Sequence, residues 1–213
     1  MSYLPIYRVM SKQIYLLILD ISAKNFLKNF LLLDLPSVVR KKKGMILRSK
    51  ANPSNNYELH EVDLANATRV QDILSRSVDS MQPLMVISEC VFMYLEQNAV
   101  NNLLSCMSNL SEKSHIMIYD GIDRQDSFTN TMIDNLQSSQ SIKLNLQTSE
   151  SYMENLRLNG FHSNIFFKSM LEIYNHPDFI TERDRISKLM MLDDTEIWDQ
   201  IMSHYCFVIS QNF

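Results

Sequence analysis

Short apolar runs alternating with amphipathic stretches constrain this chain more than any single residue does. The runs are Gln13–Leu19, Phe30–Leu33, Tyr57–Val62, Leu84–Ser88, His115–Tyr119, His162–Phe167 and Tyr205–Ser210. Runs of this length, separated by stretches with 3.6-residue periodicity, are the sequence form of a βαβ series. Asn66 to Val78 places Val70, Ile73 and Leu74 on one helical face, and Glu96 to Leu110 does the same with Val100, Leu103, Leu104 and Met107. Asp126 to Gln140 and Ser149 to Asn159 continue the pattern, and Gly160 falls where a helix C-terminus favours a left-handed residue. Met170 to Ile201 reads as two or three short helices before the last strand. The expectation is an α/β fold, a seven-stranded, mostly parallel sheet with helices on both faces.

Glycine usage removes several chemistries. The 213 residues contain three glycines, Gly44, Gly121 and Gly160, against roughly fifteen expected from average usage. They lie too far apart for a dinucleotide fingerprint, a Walker loop or a hydrolase nucleophile elbow. A net charge of -4 gives no global attraction to nucleic acid or to acidic membranes. Cys90, Cys106 and Cys206 lack C-x-x-C spacing and read as free thiols of a reducing compartment. The five histidines show no ligand spacing, so no metal site is expected. The run Ile14 to Ile21, broken by Asp20, falls well short of the ~20 residues that span a bilayer. It reads as a buried strand of a cytoplasmic protein. The segment Asn52 to Asn56 reads as a loop, and Arg40 to Lys43 as the solvated face and end of a short helix.

In an open α/β sheet, ligands bind outside the carboxyl ends of the strands. Four consecutive expected strands end in an acid there: Asp34, Asp63, Glu89 and Asp120. Asp34, at the second strand, is where a nucleoside-binding protein grips a ribose diol, because a carboxylate accepts from both hydroxyls. Asp63 can accept from an adenine amine while Leu64 packs on the ring, and Glu89 can accept from an ammonium. Each acid can equally be a helix cap or a first-turn acid that favours the helix dipole with no ligand.

Seven strands with acids at these ends resemble the sheet of S-adenosylmethionine-dependent methyltransferases, and two segments make the resemblance specific. Leu31 to Arg40 (LLLDLPSVVR) is similar to the V-D-F-P-x-V segment of the leucine carboxyl methyltransferase family, and Leu84 to Tyr94 (LMVISECVFMY) to its L-x-I-x-E-C-V-L-x-Y segment. Tyr119-Asp120-Gly121, Met132 to Leu136, Leu156 to Phe161, Leu171 to Tyr174 and Met202 to Cys206 follow in the family's order. The likeness spans roughly residues 30 to 210, and residues 1–29 are atypical, within a single expected domain of 1–213. The resemblance implies an S-adenosylmethionine cofactor held by Asp34 at the ribose, Asp63 and Leu64 at the adenine and Glu89 at the methionine portion. Tyr94 resembles a family tyrosine that lines the site.

The family methylates the C-terminal leucine carboxylate of the protein phosphatase 2A catalytic subunit, so the resemblance implies that tail as the partner. No acid or base is assigned, because a terminal carboxylate, with pKa about 3.3–3.7, is already an ionised nucleophile at neutral pH. A basic group for the incoming carboxylate is sought at Arg40 to Lys43 or at Arg124. Family members carry a glycine-rich turn after the first strand, preceded by a helical segment. The corresponding stretch here, Leu16 to Ser22, has no glycine, and about a dozen residues precede that strand. The expectation therefore divides between a working carboxyl methyltransferase and a catalytically inactive, truncated member that acts as a phosphatase-binding module.

Overall fold

A computed structural model describes the backbone of residues 15–22, 25–49, 57–189 and 193–213, and side chains from residue 30 onward. Gln13 and Ile14 of the first expected strand and the expected loop Asn52 to Asn56 lie outside the described residues. The strands are β1 (Tyr15–Ser22), β2 (Asn25–Asp34), β3 (Tyr57–Glu61), β4 (Leu84–Glu89), β5 (Ser114–Gly121), β6 (Ser163–Ser169) and β7 (Tyr205–Gln211). They form one sheet in the order β3-β2-β1-β4-β5-β7-β6. The helices are α1 (Pro36–Ser49), α2 (Ala67–Ser77), α3 (Gln97–Ser108), α4 (Ser127–Gln140), α5 (Ser149–Leu158), α6 (Met170–Tyr174), α7 (Ile180–Ser187) and α8 (Thr195–Ser203).

The sheet is buried most deeply at its middle. In β4 and β5 every second residue is fully enclosed while its neighbours are half-covered, and on the edge strands β3 and β6 the alternation runs toward solvent. This period of two follows from the pleat, which sends successive side chains to opposite faces. Leu31, Leu33, Val86, Ile116, Ile118 and Val208 join Val70 and Leu74 of α2 and Val100, Leu103, Leu104 and Met107 of α3 in one buried cluster. Both helical stripes read from the sequence are therefore core faces, with Ile73 packed at the edge of the cluster.

Local side chains set the helix ends. Asn66 Oδ1 accepts from Arg69 N at 3.1 Å to start α2, and Asp126 Oδ1 accepts from Thr129 N at 2.9 Å to start α4. Ser169 and Glu172 exchange bonds in a capping box that opens α6 directly from the end of β6. Gly160 takes φ +96° after α5, where the Phe161 N–H closes back onto Leu156 O at 2.9 Å.

Two expectations change. First, β1 runs antiparallel to both β2 and β4, pairing Leu16 with Leu33 and with Ser88. Among the described strands five still share one direction, but only β2–β3 and β4–β5 are parallel neighbours. The glycine-free stretch Leu16 to Ser22 consequently does not end at the rim formed by the carboxyl ends of β2 and β4. It ends at the opposite edge, where Ser22 pairs with Asn25, and the start of β1 lies at the rim instead. Second, Arg40 to Lys43 lie inside a helix that continues to Ser49, so the basic run is not a helix end. Arg40 and Lys41 are solvated as expected, whereas Lys42 is largely enclosed, its side chain 16% exposed.

Candidate functional site

The rim is assembled by strand register. Leu33 and Ser88 both face Leu16 across β1, so Asp34 and Glu89, one residue further along, stand on either side of the start of β1. Two interstrand spacings put their backbones roughly 10 Å apart. β3 ends at Glu61, directly beside Asp34, so the expected strand-end acid Asp63 lies two residues past the strand, in the turn before α2.

The acids at this rim have different surroundings. Asp34 is fully enclosed; its Oδ1 accepts from Leu35 N at 2.7 Å and its Oδ2 from Lys42 Nζ at 3.3 Å. Burial pushes its carboxyl up to about 6, with the Leu35 N–H opposing, and burial pushes the Lys42 ammonium down to about 8. Asp63 is exposed and accepts from Ala65 N at 3.0 Å. Leu64 is 3% exposed and belongs to the hydrophobic core, so its side chain is already packed against protein. Glu89 is exposed at the end of β4.

Asp120 departs from its expected place among the rim acids. It precedes the last residue of β5, is fully buried, and accepts from Met93 N at 3.0 Å, Gly121 N at 3.1 Å and Tyr152 Oη at 3.3 Å. Those donors come from the chain itself, which makes Asp120 a structural anchor rather than a ligand-facing acid. Burial raises its carboxyl to about 7 despite the three bonds.

What Asp120 anchors is the short 3-10 helix Phe92–Tyr94, which carries Tyr94. The chain enters it through Cys90, held at φ 50°, a left-handed conformation unusual for a residue with a side chain, with its N–H on Tyr119 O at 2.7 Å. Asn145 secures the other side: its N–H donates to Met93 O at 2.7 Å and its Nδ2 to Leu95 O at 2.9 Å. Tyr94 is half-buried, and burial, then Cys90 and Asp120, raise its phenol above the usual value.

Sequence reading missed two features beside it. The rings of Tyr119 and Tyr205 stack at 5.4 Å, an arrangement that follows from the antiparallel pairing of β5 with β7 and has no local sequence signal. Asp126 caps α4 and also meets the Nε2 of buried His204 at 3.0 Å, linking α4 to the start of β7. The thiols offer no nucleophile: burial, ahead of Asp120, pushes both Cys90 and Cys206 up to about 12. Among the described residues no cluster of metal-ligating side chains occurs, and no helix is long and apolar enough to cross a membrane.

The strand order β3-β2-β1-β4-β5-β7-β6 belongs to the α/β class of the S-adenosylmethionine-dependent methyltransferase fold. Solved structures share it at low identity. A DUF574 family protein from Streptomyces avermitilis aligns with TM-score 0.59 at 11% identity, over 86% of this chain and 64% of its own. An O-methyltransferase family protein from Burkholderia thailandensis aligns with TM-score 0.52 at 12% identity, over 85% of this chain and 43% of its own. PigF with SAH aligns with TM-score 0.51 at 9% identity, over 90% of this chain and 50% of its own.

Sequence comparison narrows the class. The leucine carboxyl methyltransferase family model matches residues 29–108. The leucine carboxyl methyltransferase 1 homolog of Arabidopsis thaliana is 28% identical over 163 residues, 75% of this chain and 49% of the relative. Leucine carboxyl methyltransferase 1 of Bos taurus is 31% identical over 157 residues, 72% of this chain and 47% of the relative. The chain belongs to the leucine carboxyl methyltransferase family, and it spans about half the length of the curated relatives it matches.

Proposed function

We propose that this chain serves S-adenosylmethionine-dependent carboxyl O-methylation, with the C-terminal leucine carboxylate of the protein phosphatase 2A catalytic subunit as acceptor. The observation that carries the reading is the placement of Asp34 and Glu89 on either side of the start of β1 at the ligand-facing rim. Their chemistry suits the cofactor. Each Asp34 oxygen takes one bond from the residues around it, and a carboxylate has about four acceptor sites, so both hydroxyls of a diol can be accepted once the cover over this enclosed side chain opens. Glu89, open to solvent, is free to face an ammonium. Asp63 is exposed for an adenine amine, while Leu64 gives the ring only an edge of the core.

S-adenosylmethionine would supply an electrophilic methyl group on a sulfonium. The chain's own residues have to bind and orient. A leucine carboxylate is ionised at neutral pH, so no residue needs to take its proton. Holding the carboxylate oxygen in line with the methyl group is a proximity effect that can contribute roughly 7–11 kcal/mol. Of the basic groups considered for the incoming carboxylate, Lys42 and Lys43 are paired with Asp34 and Glu61, and Arg40 is solvated on α1. Arg124, three residues past β5 and bonded weakly to Ser203 O at 3.5 Å, is the group we assign to it.

Calorimetric titration with S-adenosylhomocysteine tests the reading. Binding is expected, and Asp34→Ala and Glu89→Ala should each weaken it by about 1–3 kcal/mol, the cost of an unpaired polar group. Unchanged affinity in both variants overturns the site. A labelled methyl group should pass to a peptide ending in a leucine carboxylate and not to its amide. A second reading, a phosphatase-binding module without transfer, is favoured by the direction of β1, which brings no glycine turn to the rim. Absence of cofactor binding together with retained phosphatase binding selects it.

A further inference from the structure

Asp34 is fully enclosed beneath α1, and the cation that meets it comes from a run that otherwise faces water. Val39 is completely buried, so it marks the face of α1 turned to the sheet. Lys42 and Lys43 follow it by three and four residues and share that face. Lys43 reaches Glu61 at 3.7 Å, beside Asp34 on β3, while Lys42 reaches Asp34 itself at 3.3 Å.

We propose that Lys42 is a positioning residue for the cofactor site, keeping the Asp34 carboxylate charged and fixed at the end of β2 so that it can accept both hydroxyls of a ribose. The inference rests on the reading that the rim holds S-adenosylmethionine. An enclosed carboxyl without a cation takes up a proton, and one of its oxygens then becomes a donor. It can no longer accept from two hydroxyls symmetrically. A diol is neutral, so it binds beside an ion pair without displacing it, whereas a cationic ligand would compete with Lys42 for Asp34. The pair thus assigns the neutral part of the cofactor to Asp34 and leaves the charged part to Glu89.

The charged groups around Asp34 support this. On β3, Glu61 is paired with Lys43, and His60 faces Glu58 at 2.8 Å. On β4, Glu89 lies two strand positions away and bears no positive charge. On α1, Arg40 and Lys41 are solvated. Both members of the pair are charged between about 6, where burial has brought Asp34, and about 8, where it has brought Lys42.

The test uses the full chain with Lys42→Met, Lys42→Gln and Lys42→Arg. Asp34 is followed by carbon NMR of its side-chain carboxyl without ligand, and S-adenosylhomocysteine affinity is measured from pH 5 to 9. In the wild type, affinity should rise as pH passes about 6 and hold to pH 9, because Asp34 stays ionised there even after Lys42 loses its proton above about 8. Lys42→Met should raise the Asp34 midpoint by a pH unit or more, weaken binding at pH 7 about twofold for a one-unit rise and about tenfold for a two-unit rise, and let it recover as pH rises. Lys42→Gln should behave as Lys42→Met does, and Lys42→Arg, which keeps the cation, should keep the wild-type curve. An unmoved Asp34 midpoint, or tighter binding in Lys42→Met, overturns the proposal. If no form binds the ligand while the midpoint moves as stated, the cofactor reading fails and the ion pair stands as a structural feature, which ends the positioning role.

Discussion

Replacing Asp120 with Asn should reshape the pH dependence of stability. Its carboxyl rises from an ordinary 3.8 to about 7 in the folded chain, with burial as the largest cause. Between those values the folded state binds a proton that the unfolded state has released, so stability falls as pH rises through the window. At about 1.4 kcal/mol per pH unit the span amounts to roughly 4 kcal/mol, of which roughly 2.5 kcal/mol falls between pH 5 and 8. Asn cannot ionise, so it escapes that loss. Its amide oxygen can still accept from Met93 N and Tyr152 Oη, but its NH2 then faces the Gly121 N–H, where Asp120 Oδ1 accepts at 3.1 Å. Leaving those donors unmatched costs about 1–3 kcal/mol at any pH. The variant should therefore be less stable than the wild type at pH 5, and the gap should close or reverse by pH 8. Urea melts followed through Trp198, the one tryptophan of the chain, measure both curves. Asp34, raised to about 6, lowers both equally, and Asp126, lowered to about 2, acts below the window, so neither affects the difference. Parallel curves from pH 5 to 8 would refute a buried Asp120 that takes up a proton near neutrality.

Substitutions at two further positions probe the frame around the site. Gly160→Ala places a methyl group 2.7 Å from Ser108 Cβ on a backbone at φ +96°, so it should cost at least about 2 kcal/mol in a denaturant melt; a loss below 0.5 kcal/mol, on the order of a tolerated surface change, would mean that the turn after α5 relaxes. Asp126→Ala removes the α4 cap and leaves His204, 1% exposed, without its carboxylate partner, for a loss of about 2 kcal/mol at neutral pH. Asp126→Asn should recover the cap's share. Because its bonds to Thr129 and His204 hold the Asp126 carboxyl down to about 2, the wild-type contribution is complete above pH 4 and is lost as pH falls through 2, which an acid titration of the melting midpoint checks.

Strand positions were legible because burial on both faces of a central sheet demands runs such as LMVIS and HIMIY, and neither can be hidden in a surface helix. Strand direction was not, since an apolar run reads the same both ways. One signal was present: ten residues separate Leu19 from Phe30, and a right-handed crossover between parallel strands needs about a dozen or more. A connection that short favours a hairpin, which is what β1 and β2 form once β2 extends back through Asn29 and Lys28 to Asn25. Those polar residues lie outside any apolar run, so their strand character comes from pairing and not from propensity.

At the site, acids at the strand ends were legible and their electrostatic state was not. Asp34 and Asp120 look alike in sequence, each following an aliphatic run, yet Asp34 meets a lysine 8 residues on, whereas Asp120 meets donors 27 and 32 residues away. No local pattern predicts the second case, because the donors are brought together only by the packing of α5 and the 3-10 helix on β5. The first case was within reach, since Lys42 stands three residues after the buried Val39 and had to lie near the sheet. This difference bears on function. A fully neutralised Asp34 and an open Glu89 give the rim one uncharged and one negative end, about two strands apart. A ligand with a neutral diol and a distant ammonium matches that polarity in one orientation and mismatches it when reversed, so under the proposed function the chain's own charges would set which way round such a cofactor binds.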